Sequence, residues 1–283
     1  MKIDVHVHIL APDFIKDLRN NMDRDKHFKL LHDNPKAKFA TAENVLENMD
    51  KTGVDKSIVF GFCCLDPGMG RETNDYIIET INKYPDRFIG FALVNPKDPG
   101  MEKELIRCRE AGLKGVGEVI PASLHIDISD QEQVKNLTAV CRELDLPVLM
   151  HTNELVGHYY PGKGEVGPEQ AYQFAINNPD NKIIFAHWGG GLFAYELMPE
   201  VQDALQNVYY DTAASPFLFR PVVYETARLA GVLPKVLLGS DYPLLSPARY
   251  YKEWAATNLS DEEKDAISGG NAERFLGLVP RNA

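Results

Sequence analysis

At 283 residues and a net charge of −11, with no basic block to offset the acids, the chain does not read as a nucleic-acid binder. Its 44% hydrophobic and 25% charged residues exclude a disordered chain and supply ample core material, while no apolar run reaches the roughly 18 residues of a helical membrane span. A strand pattern begins at once without a basic leader, so the expected location is the cytoplasm.

In chain order, the first strand pattern is KIDVHVHI. Its period of two puts Asp4, His6 and His8 on one face and Ile3, Val5, Val7 and Ile9 on the other. Two imidazoles so placed suit a shared transition metal, or a hydrogen-bonded pair at a sheet edge. The connection from Ala11 to Ala40 includes DRDKHFKLLHDNPKAKF, too long and charged for an ordinary βα loop, and is expected to cap one end of the fold. Its His27 and His32 read as surface residues. Seven more strand patterns follow: KSIVFGF, RFIGFALV, LKGVGEVI, PVLMHTN, KIIFAHWG, VYYDTA and VLLGSDYP.

Helical spacing separates most of them. It is clearest in DQEQVKNLTAVCRELD, where Val134, Leu137, Cys141 and Leu144 share a stripe behind an Asp130 N-cap. Ser215 before Pro216, Gly167 before Pro168, and Ser260 with Glu263 mark further helix starts. Strands alternating with helices imply an α/β fold, a (β/α)8 TIM barrel forming a single unit over 1–283. An open doubly wound sheet is the alternative, but Leu10, Ala11, Pro12 and Asp13 replace the glycine-rich turn that a nucleotide-binding sheet would carry there. Cys63, Cys64, Cys108 and Cys141 form neither a CxxC pair nor a disulfide framework, and read as structural.

In a barrel the C-terminal strand ends share one face, and polar residues interrupt the apolar runs near those ends: His6, His8, Glu118, His151, His187 and Asp241. One buried acid or histidine needs only a local hydrogen bond. Six converging groups point to a divalent cation, which neutralises the acids and occupies the imidazole lone pairs.

DVHVH, the strand-five histidine, AHWGG and GSDYP together resemble the amidohydrolase superfamily, and more narrowly the amidohydrolase-2 family, which includes aminocarboxymuconate semialdehyde decarboxylase and related lactonases and hydrolases. The likeness extends to the closing GGNAERFLGL. It implies His6, His8 and His151 as metal ligands and Asp241 as a ligand that also moves protons. His187 would orient water or ligate a second ion. GVGEV around Glu118 is similar to the strand-four GE of TatD-type nucleases, implying metal contact and room for two ions; an acid paired with Lys114 or a histidine is the alternative.

The implied cofactor is one or two divalent ions, Zn2+ first, with Mn2+ or Fe2+ as alternatives. The expected activity is hydrolysis of an amide, ester or lactone bond in a small polar or anionic substrate by metal-activated water, with Asp241 and His187 catalytic. Nonoxidative decarboxylation of an aromatic or muconate-type acid is the alternative, and a non-catalytic metal-binding barrel the third reading. Asp4 would fix ligand orientation or serve the fold. For substrate contact the loop HTNELVGHYYPGKG offers Glu154, His158, Tyr160 and Lys163, and Arg71 and Arg220 offer a grip on a carboxylate; an ordered turn and surface ion pairs explain the same residues. Trp188 reads as core. The expected partner is a small-molecule substrate, with no nucleic acid and no membrane; a homodimer is a habit of the family.

Overall fold

The period-two patterns fold as parallel strands. In the computed structural model, which describes residues 1–278, they lie in sequence order: β1 (Ile3–His8), β2 (Lys56–Phe60), β3 (Phe88–Ala92), β4 (Gly115–Val119), β5 (Val148–Met150), β6 (Ile183–Phe185), β7 (Val208–Asp211) and β8 (Val236–Leu237). The sheet closes on itself: Val7 bridges Tyr242 in parallel, and the Val5 N–H donates to the Leu238 carbonyl at 2.8 Å. This is the expected (β/α)8 barrel. The last residues of the expected 1–283 unit lie outside those described.

Both faces of β1 are buried. His6 and His8 reach Glu118 across the barrel, so the even-numbered face is the interior and the aliphatic face packs outward. The later strands are shorter than their apolar runs. β5, β6 and β8 end before His151, His187 and Asp241, which lie on the loops just beyond. At His187, Trp188 and Asp241 φ is 55°, 62° and 60°, a left-handed conformation that takes the backbone off the ladder.

The helix Gln131–Glu143 starts at its expected cap, where the Asp130 carboxylate accepts from the Glu132 N–H, and it buries Val134, Leu137 and Cys141. Ser260 and Glu263 form the expected capping box. Ser215 differs: it is the first residue of a short helix, with Ala214 at the cap position. The four cysteines are free and buried, and burial pushes the Cys63 thiol up to about 12, which leaves it protonated and inert.

The Ala11–Ala40 connection forms three short helices, α1 (Pro12–Lys16), α2 (Leu18–Arg24) and α3 (Lys26–His32). They share a satellite core of Leu10, Met22, Phe28, Cys64 and Met69, separate from the barrel's own. Asp25 ties them down: one carboxylate oxygen accepts from the His27 and Phe28 N–H groups, the other from the Leu65 N–H at 2.7 Å. His32 is therefore no surface residue. It is buried over the β1 end, its ring 4.3 Å from that of Phe62, which stacks on His8 at 4.2 Å. Among the described residues no helix is long and apolar enough to cross a membrane.

Candidate metal centre

His6 and His8 present their Nε2 atoms to the barrel mouth because each Nδ1–H is already used. His6 donates to Asp211 Oδ2 at 2.8 Å, and His8 donates to the Gly61 carbonyl at 3.0 Å. The two Nε2 atoms then carry lone pairs that face each other at 3.2 Å. Such a pair repels unless a proton or a cation lies between them. Glu118 Oε2 sits 3.6 Å from both nitrogens, and Asp241 Oδ1 lies 3.8 Å from His6 Nε2 and 3.5 Å from His8 Nε2. A tetrahedron with metal–ligand bonds of about 2.1 Å has edges of about 3.4 Å, so these donors fit a small divalent ion.

The other Glu118 oxygen serves a second group. Oε1 is 2.7 Å from His151 Nδ1 and 3.7 Å from His187 Nε2, and those two nitrogens are 3.2 Å apart. His187 donates its Nδ1–H to the Ala213 carbonyl at 2.9 Å, which again leaves Nε2 as the inward lone pair. The six groups thus form two triplets, His6–His8–Asp241 and Glu118–His151–His187, with Glu118 touching both. Glu118 pairs with histidines, and Lys114 is exposed.

Electrostatics follow from this crowding. Burial disfavours charge on His6, Glu118, His187 and Asp241, but attraction between opposite charges overrides it. Asp211 and Glu118 push His6 well above the usual imidazole range, and Glu118 is held well below the usual carboxylate range by His151 and His6. Against the same burial cost, the His8 hydrogen bond and nearby imidazoles bring Asp241 down to about 2, while Glu118 and Asp241 raise His187 to about 9. A metal-free centre therefore holds protons that a cation would displace.

Local sequence explains how the donors are aimed. At Gly117, φ is 144° and a Cβ would lie 2.7 Å from Leu149, so only glycine lets β4 pass β5 closely enough to set Glu118. In AHWGGG all positions from His187 to Gly191 have positive φ, and a Cβ on Gly190 would meet the Asn153 carbonyl at 2.3 Å. Trp188 is core, as expected, with its indole N–H donating to Ser215 Oγ at 2.9 Å. Asp4 accepts from the Ser240 N–H at 2.8 Å and bonds its hydroxyl, so it anchors the segment leading into Asp241. Burial, opposed by those bonds, raises Asp4 to about 7.

Asp211 was not singled out from sequence. It accepts from His6 Nδ1 and from the His187 and Ala213 N–H groups, the latter two at 2.9 Å, and so orients both triplets. The signal was present, since the acid in VYYDTA ends an apolar strand like the other site residues. The loop after β5 is internally satisfied. Lys163 pairs with Glu154 at 3.1 Å and donates to the Val156 and His158 carbonyls; the Tyr160 hydroxyl donates to Glu154 and accepts from Asn153. His158 is exposed. Arg71 lies 3.9 Å from Asp98 beside a cleft lined by Cys63, Cys64 and Glu104 that contains none of the six donors, and Arg220 is exposed. The ordered-turn and ion-pair alternatives account for these contacts.

Among curated proteins, 2-amino-3-carboxymuconate-6-semialdehyde decarboxylase of Dictyostelium discoideum is 26% identical over 243 residues, 73% of this chain and 66% of that relative. Gamma-resorcylate decarboxylase of Polaromonas sp. is 23% identical over 251 residues, 74% of this chain and 76% of the relative. A solved structure of dihydroxybenzoic acid decarboxylase from Polaromonas sp., with bound manganese and the inhibitor 2-nitroresorcinol, superposes with a TM-score of 0.71 at 20% identity, covering 98% of this chain and 97% of that one. Both curated relatives are decarboxylases, which favours the alternative activity over the expected hydrolysis. The amidohydrolase family profile matches residues 3–278, and the chain belongs to that family.

Proposed function

We propose that the chain is a metal-dependent, nonoxidative carboxy-lyase acting on a small aromatic or conjugated acid at the barrel mouth. The observation that carries the metal dependence is the pair of facing Nε2 atoms of His6 and His8, 3.2 Å apart and flanked by Glu118 and Asp241. The family relationship to two decarboxylases supports carbon dioxide release as the chemistry. His6, His8, His151 and Asp241 would hold the ion, with Glu118 alongside. The ion would supply Lewis-acid polarisation of a bound substrate oxygen; Mn2+ is supported by the manganese of the Polaromonas structure, with Zn2+ the alternative.

The chain's own part is proton handling and orientation. Breaking the bond to the carboxyl group leaves an electron pair on carbon, which must receive a proton. Asp241 is the more open carboxylate, its side chain 14% exposed against 3% for Glu118, and its low pKa keeps it ready to take a proton from an acidic substrate group and return it to that carbon. His187 stands beside Glu118 and would orient the carboxylate that departs.

Hydrolysis survives as a second reading on one observation: Glu118 touches both triplets, an arrangement suited to two ions and water activation. The deciding experiment gives protein of known metal content a panel of hydroxybenzoates, muconate-type acids, lactones and esters. Carbon dioxide release with intact lactones supports the proposal; hydrolysis without carbon dioxide replaces it.

A further inference from the structure

In a chain of net charge −11, the end of the barrel opposite the metal centre collects cations. Six of the eight strands begin on or directly after one: Lys2, Lys56, Arg87, Lys114, Lys182 and Lys235. Some of these serve the fold. Arg87 reaches Asp50 at 2.8 Å, Lys235 reaches Glu196 at 2.7 Å, and Lys2 lies over the Tyr251 ring at 4.7 Å.

The other three, Lys56, Lys114 and Lys182, line one cleft together with Arg109 from the helix Met101–Glu110. Its volume is about 520 Å3, within the range of small-molecule sites, and it contains none of the six candidate metal donors. Phe88, Leu146 and Phe275 give it an apolar wall. Asp145 is the one acid among the described lining residues, and Lys182 already takes it at 2.7 Å. The remaining charges are not cancelled. Lys56 Nζ donates to the Asp86 carbonyl at 2.6 Å and Arg109 Nε to the Leu144 carbonyl at 3.3 Å, both neutral acceptors, and the exposed Lys114 side chain has no hydrogen-bond or ion-pair partner among the described residues. Like charges gathered in one concave site repel one another and create a positive potential that an anion relieves.

We propose that this cleft is a second binding site, for a small organic phosphate. Lys56, Arg109 and Lys114 would hold the phosphoryl oxygens, and Phe88, Leu146 and Phe275 would cover the apolar body. A phosphate monoester suits the site better than a carboxylate, because it offers three terminal oxygens and nearly two charges to three cations. The site stands apart from the chemistry at the mouth: Lys114 precedes Glu118 by four residues, about 13 Å at the rise of a strand. It therefore does not depend on the carboxy-lyase reading.

The test titrates phenyl phosphate into manganese-loaded full-length protein, with calorimetry for affinity and phosphorus NMR relaxation for distance from the ion. One equivalent should bind, more weakly as salt rises. The double variant Lys114→Gln/Arg109→Gln should weaken binding at least about tenfold, as expected for two lost charge-assisted contacts at a partly exposed site. Asp145→Asn, which frees Lys182 and suits the φ of 51° at that position, should strengthen it. Manganese content and thermal midpoint should stay at wild-type values in both. Arg142→Gln/Lys252→Gln removes the same charge away from the cleft and should leave binding unchanged. Wild-type protein that ignores the probe overturns the proposal, and so does equal weakening in the control pair, which would show a general charge effect. Strong manganese relaxation of the bound phosphorus, with binding lost in Asp241→Asn, would put the probe at the metal centre and overturn it as well. Inorganic phosphate should bind more weakly than the ester; equal affinity overturns the organic part of the assignment.

Discussion

Replacing Asp211 by asparagine should disable the metal centre while leaving the barrel folded. The aspartate is fully buried and accepts three hydrogen bonds: from His6 Nδ1 at 2.8 Å, and from the His187 and Ala213 N–H groups at 2.9 Å each. In Asp211→Asn the single amide oxygen must stay with the two backbone donors, because the opposite orientation faces both against an NH2 group, at about 1–3 kcal/mol per orphaned donor. The amide nitrogen then donates to His6 Nδ1 and drives the imidazole proton onto Nε2. There it blocks, even in the neutral imidazole, the nitrogen that faces His8 Nε2 at 3.2 Å, and a cation can use that nitrogen only after the proton is removed. Losing the charge-assisted bond to His6 is worth about 1.5–3 kcal/mol, or about 10–100-fold in metal affinity, which matches the usual effect of removing a partner behind a ligand. Competition of Mn2+ between the protein and a fluorescent chelator at neutral pH measures it, with the melting transition as control. A folded Asp211→Asn protein with wild-type affinity would refute the tautomer argument.

Three further outcomes follow from the same structure. His187 is raised from the ordinary imidazole value to about 9 and His6 is raised as well, so between pH 6.5 and 9 the metal-free native state binds more protons than the unfolded chain. Its stability should fall as pH rises through that window while metal affinity rises, and melting curves with and without Mn2+ should diverge; parallel curves would contradict this. Gly190→Ala places a Cβ 2.3 Å from the Asn153 carbonyl at a φ of +61°, and should lower both the thermal midpoint and turnover by displacing His187; unaltered activity would show that the left-handed run is not what aims the histidine. Glu196 accepts from the Tyr210 hydroxyl and from Lys235 Nζ, each at 2.7 Å, so Glu196→Ala should destabilise the barrel by about 3 kcal/mol in urea unfolding without changing metal affinity; a loss below that of an ordinary surface substitution would count against it.

The barrel was legible because its strands are buried on both sides and stand out as short apolar runs between helical spacings. The candidate donors were legible for the same reason: each of His6, His8, Glu118, His151, His187 and Asp241 interrupts such a run, and the structure brings all six together. What supports them was harder to see. Asp211 carries the same signal, yet its role depends on which neighbour its oxygens meet, and that is fixed by packing between β7, β1 and the turn at His187. His27 and His32 sit in a charged stretch whose composition says surface. The burial of His32 and the half-burial of His27 go with Asp25 clasping the Leu65 N–H and the loop backbone at Gly162 resting on Leu31, contacts between segments remote in sequence. The loop after β5 was legible only as chemistry. Lys163 and Tyr160 have the right chemistry for an anion, but Glu154 and Asn153 occupy them.

In the proposed reaction a metal-loaded mouth exchanges a carboxyl group for a proton delivered by Asp241. The most direct test is a reaction of the manganese-loaded protein with a hydroxybenzoate and muconate-type panel in D2O, with carbon dioxide and product deuterium measured together. A carboxy-lyase of this kind gives equimolar carbon dioxide, one deuterium on the carbon that lost it, and neither after chelation or in Asp241→Asn. Intact acids across the panel, with a lactone or ester opened by the same preparation, would contradict it.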